Sequence, residues 1–101
     1  MEEDEMDSIR ISDIQVVPVQ PREGLVAFAS FVINDSIYIG DVAIHTCLSN
    51  SEGYRLVYPQ RILFNGNKVN CVHPINRKTG DKIQKAVVAK YRNLMSKGLR
   101  K

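Results

Sequence analysis

A chain of 101 residues, 44% apolar and 25% charged, is sized for one domain with one core, and it needs neither a metal nor a disulfide to close it. No run of about 18 apolar residues occurs, and the acidic start from Met1 to Asp7 lacks the basic-then-apolar order of a secretory leader, so a soluble cytoplasmic protein without membrane contact is expected. The net charge of +3 conceals a division: Glu2, Glu3, Asp4, Glu5 and Asp7 crowd the start, whereas from Tyr54 onward twelve Lys and Arg face the single acid Asp81, a balance of +11. Such a field attracts polyanions, and the five acids at the start are placed to compete with phosphates for it.

The first eight residues carry no apolar period and read as a disordered acidic tail, so residues 9–101 are the expected domain. Ile9 to Val17 alternates as a first strand, with Pro18 marking the end of an edge strand. Pro21 to Gly24 is turn chemistry, and Leu25 to Ile33 is rich enough in apolar side chains to be buried on both faces. Asn34-Asp35 tolerates the positive φ of a tight reversal, and Ser36 to Leu48 returns as a long strand. Tyr54 to Tyr58 resumes the sheet, Gln60 to Phe64 runs into the hairpin signal Asn65-Gly66, and Lys68 to Val72 comes back. His73-Pro74 ends the sheet region, because proline removes a ladder donor.

Beyond it the period changes to 3.6. Thr79 is the expected N-cap, with Asp81 in the first turn and Gly98 at the close. Ile83, Val87, Tyr91 and Leu94 form one apolar stripe with Val88 and Met95 at its margin, leaving Lys82, Lys85 and Arg92 to project away from the sheet. The fold class is α+β: an antiparallel sheet of about five short strands in meander order, covered by a C-terminal helix.

Catalytic and cofactor chemistry finds little footing. The six glycines are scattered without a phosphate-loop pattern, and no pair of carboxylates stands out. Cys47, Cys71, His45 and His73 lack a close CxxC pair, so no metal site is expected; the cysteines read as packed thiols and His73 as a hydrogen-bonded structural residue. Tyr54, Tyr58 and Tyr91 read as core. No enzyme activity, cofactor or small-molecule substrate is expected. The candidate site is instead Arg77, Lys78, Lys82 and Lys85, grouped around a helix N-terminus whose backbone N–H groups also attract phosphate oxygens.

Val72-His73-Pro74-Ile75-Asn76, then Thr79, Lys82-Ile83-Gln84, Ala86-Val87 and Lys90-Tyr91, resembles the HPIN segment and following helix of the SpoVG family, bacterial regulators first named for septation during sporulation. Val26-Ala27-Phe28-Ala29-Ser30, Asp41-Val42, Tyr58-Pro59-Gln60-Arg61 and Ser12-Asp13-Ile14 are similar to further family segments. The resemblance implies a homodimer whose sheets join, with binding to DNA and, in some members, RNA. By the same likeness Arg61 matches a basic residue of the family's proline turn and joins the candidate site. Basic positions of the family's first strand and turn fall here on Gln15, Val17, Pro18 and Ile62. The competing reading is a protein-interaction module acting on cell-division or regulatory partners.

Overall fold

The computed structural model describes residues 9–99. The acidic head assigned to residues 1–8 lies outside the described residues. β1 (Ile11–Arg22), β2 (Leu25–Ile33), β3 (Ile37–Thr46) and β4 (Tyr54–Val57) form an antiparallel meander in the order β1-β2-β3-β4. β5 (Gln60–Ile62) and β6 (Lys68–Asn70) pair with each other as a separate two-stranded ribbon, and α1 (Arg77–Leu99) follows.

The meander is set by turn chemistry. Glu23-Gly24 and Asn34-Asp35 all take positive φ, between 52° and 92°, which makes tight turns of the hand that suits twisted strands. Ser36 N–H donates to Ile33 O at 2.9 Å, and the Arg10 guanidinium bridges to Asp35 at 2.6 Å beside it. β1 continues past Pro18 to Arg22 rather than ending there. It is the sheet's edge, where a missing ladder donor is tolerated.

Two bulges fix which side chains face inward. Between Ser12 and Gln15 on β1, and between Ile39 and Val42 on β3, one extra residue is inserted opposite the same stretch of β2. Asp13 and Asp41 take the positive φ at these points, 50° and 58°. The extra residue switches parity along the strand, so Ile39 and then Val42 and Ile44 all point to one face. Together with Ala27, Ala29 and Phe31 of β2 they receive Ile83, Val87 and Tyr91 of α1 in a single buried cluster.

Among the described residues, only one face of the sheet is covered. Phe28 and Tyr38 are exposed on the other, so β2 is buried on one side rather than both, because no described element packs there. The helix stripe also ends sooner than its sequence suggests: Val88 is fully inside it, while Leu94 and Met95 are exposed past the last buried residue, Tyr91. Since only αL-tolerant residues fit the Asp41 bulge, Asp41→Gly should leave urea stability nearly unchanged, while Asp41→Val should cost about 1–2 kcal/mol. Equal stability of the two variants would show that the bulge does not depend on this φ.

Candidate nucleic-acid interface

Asn76 caps α1: its Oδ1 accepts the Thr79 N–H at 2.8 Å, and its backbone oxygen accepts Gly80 N–H at 3.1 Å. The cap is therefore Asn76 and not Thr79, and no acid lies in the first turn. Pro74 lies against that turn, its Cγ 3.4 Å from where a Cβ on Gly80 would stand. Such a cap contributes about 1 kcal/mol. It also occupies the Thr79 amide, so that amide is not available to a phosphate, and the attraction there rests on side-chain charge.

The buried stripe of the helix dictates where those charges go. At 100° per residue, Lys78, Lys82 and Lys85 lie about 140–180° around the helix from Val87, in a row roughly 10 Å long that faces away from the sheet. All three are exposed. Arg77, also exposed, sits on the flank beside Asp81, the one acid of the helix.

Arg92 does not join this row. Its guanidinium turns back to donate to Glu52 O and lies 5.6 Å from the centroid of the Tyr54 ring. Two turns earlier Gln84 donates to Glu52 Oε1 at 2.6 Å and to Tyr54 O at 3.0 Å. Tyr54 meets Tyr91 edge-on at 5.3 Å. The loop that these residues grip is itself ordered by Asn50, whose side chain bonds Glu52 N, Gly53 N and Tyr54 O. The β3–β4 loop thus locks the helix in rotation, which keeps the lysine row outward.

Arg61 is elsewhere, on β5 opposite Val69. Every residue from Gln60 to Cys71 is exposed, so the ribbon stands off the body. Its tip is a three-residue loop rather than a two-residue Asn-Gly turn: Gly66 N–H donates to Leu63 O at 2.9 Å, and only Gly66 has positive φ, 87°. That loop puts Phe64, 111% exposed, and Ile62, 68% exposed, into solvent beside Arg61. Sequence reading missed this apolar tip because strand alternation does not say whether a strand is covered. Cys71 is exposed for the same reason, contrary to its expected packing. Cys47 is half-buried, and its thiol is held below the usual value chiefly by the Ser49 hydroxyl at 3.3 Å.

His73 is exposed rather than held in a structural bond, and it borders an apolar groove of about 340 Å³ between the sheet and the start of α1. Ile33, Tyr58, Val72, Ile75 and Ile83 line the groove. Burial raises the Tyr58 phenol to about 12, so it stays protonated at neutral pH, and its hydroxyl is buried without a hydrogen-bond partner. Among the described residues no three His, Cys, Asp or Glu gather as metal ligands, and no helix is long and apolar enough to cross a membrane.

The SpoVG family model matches residues 9–93, the meander, the ribbon and most of the helix. The chain belongs to the SpoVG family. Similar SpoVG proteins, named for septation rather than for a catalytic activity, include one from Caldicellulosiruptor bescii, 26% identical over 90 residues that cover 89% of this chain and 99% of the relative. Others are from Treponema denticola, 29% identical over 82% of this chain and 86% of the relative, and Finegoldia magna, 30% identical over 82% and 74%. Within this SpoVG domain Asp13 and Asp41 are the positive-φ residues of the two bulges.

Proposed function

We propose that this SpoVG-family chain is a non-enzymatic regulator that binds DNA, and RNA through the same charges, in the service of septation and gene expression. The observation that carries the reading is the outward row Lys78, Lys82 and Lys85, held by the Gln84 and Arg92 contacts on a half of the chain where twelve basic residues face one acid. Lysine ammonium groups neutralise phosphates and release counterions, which supplies affinity without sequence preference. Arg61, with Arg77 at the helix start, supplies planar donors suited to phosphate or a guanine edge.

A second reading has its own support. The ribbon tip, with Ile62 and Phe64 in solvent, suits a protein partner better than a phosphate backbone. In that case the chain is an interaction module for division or regulatory proteins, and its nucleic-acid binding is indifferent to sequence. Gel shifts with duplex DNA and RNA in excess competitor separate the two readings.

If about four basic side chains neutralise phosphates, the log–log salt slope is near −3.6, roughly a 150-fold loss of affinity from 50 to 200 mM salt. Lys82→Gln with Lys85→Gln should make the slope shallower by up to about two units, with little change in melting temperature. Arg61→Ala should weaken every sequence alike if it grips phosphate, and cost about 1–3 kcal/mol on a preferred site alone if it reads a base. Unchanged affinity and slope in all of these folded variants would move the interaction module ahead.

The sheet's open edges also favour a homodimer, since β1 and β4 each present one unpaired row of backbone groups. Light scattering at micromolar concentration should return about twice the 11.4 kDa chain mass. A mass of one chain there would exclude it.

A further inference from the structure

The groove beside His73 is lined mostly by apolar side chains, among them Ile33, Val72, Ile75 and Ile83, with Tyr58 in one wall. The Tyr58 hydroxyl itself is buried from solvent without a partner, so it is closed to an occupant of the groove. Such a lining favours an apolar side chain as its occupant.

The rim of the groove is basic on the helix side. Thr79 and Ile83 are the helix residues that line it. At 100° per residue Lys82 stands next to Thr79 on that flank, Lys78 lies one turn before Lys82, and Asp81 falls on the opposite flank with Gln84 and Arg92. The one helical acid is therefore turned away from the groove.

The chain enters the domain at this same place. Ile9 packs on the core, Arg10 N–H donates to Asn34 Oδ1 at 2.8 Å, and Ile11 pairs with Ile33, which lines the groove. The eight residues before Ile9 hold Glu2, Glu3, Asp4, Glu5 and Asp7 around Met6. Met6 is three residues from Ile9, within about 10 Å of extended chain, and Glu2 within about 25 Å. The basic charge nearest the entry point, Arg10, is already paired with Asp35.

We propose that the acidic head is an intramolecular occupant of this groove: Met6 enters the apolar lining, and the acids that flank it face the basic rim at Lys78 and Lys82. The head then competes with phosphates for two residues of the lysine row. The consequence for binding rests on the nucleic-acid reading above, whereas the docking itself does not.

The test uses the full chain and two head variants, Met6→Ser and a form with Glu2, Glu3, Asp4, Glu5 and Asp7 replaced by their amides. Amide spectra at about 20 mM salt should show both variants shifting Val72, Ile75, Thr79 and Ile83, and about 500 mM salt should reduce the difference for the amide form. Ile75→Ser, which alters the groove and leaves the head charge intact, should raise duplex affinity at low salt about threefold or more, as should the amide form. Unmoved groove amides would overturn the proposal even if the amide form binds duplex more tightly, since that gain would be bulk charge alone. Groove shifts that grow with protein concentration would overturn it in favour of a second copy as the occupant. Loss of duplex binding by every form, with the groove shifts intact, would leave the docking standing and sink the nucleic-acid reading instead.

Discussion

One packing contact organises the molecule: the stripe Ile83, Val87 and Tyr91 laid on Phe31, Val42 and Ile44. The sheet has two faces and the described residues hold one helix, so among them only one face gains a cover. Lys78, Lys82 and Lys85 are then placed on the far side. The Asp13 and Asp41 bulges make the contact possible, because without the parity switch Val42 and Ile44 would point away from the helix while Ile39 pointed toward it. The charge pattern is thus downstream of backbone geometry in the strands.

The rotation of the helix about its own axis matters as much as its position. An apolar stripe alone permits some roll, since Val88 and Leu94 could trade burial. Gln84 and Arg92, held by Glu52 of the β3–β4 loop and Tyr54 at the start of β4, remove that freedom. The same contacts withdraw Arg92 from the solvent-facing charges and leave Lys78, Lys82 and Lys85 as the exposed row. A loop with no catalytic chemistry thereby sets the direction in which the basic surface faces.

Much of this was legible in the residues. The turns Gly24 and Asn34-Asp35, the strands between them and the change of period after Pro74 read directly, because each rests on local preference. The helix start was misplaced by one turn since Asn76 and Thr79 are both capping residues, and it is the Asn76 side chain that accepts the Thr79 N–H in the folded chain. The bulges were hidden because Gly40-Asp41 interrupts the alternation without stating which side gains a residue. The ribbon was read as part of the sheet, since Gln60 to Val72 carries ordinary strand chemistry and its lack of cover is a tertiary fact. Of the five candidate site residues, three share one outward row, Arg77 flanks it and Arg61 lies on the ribbon.

The central claim is that the outward helix row is the surface that meets phosphate. Following the lysine side-chain ammonium signals of the intact protein during titration with duplex DNA at about 50 mM salt tests it most directly, because each lysine reports for itself. Lys78, Lys82 and Lys85 should respond first and saturate together, ahead of Lys68 on the ribbon and Lys97 near the helix end. A response led by Lys68, or one spread evenly over all lysines without saturation, would contradict the account.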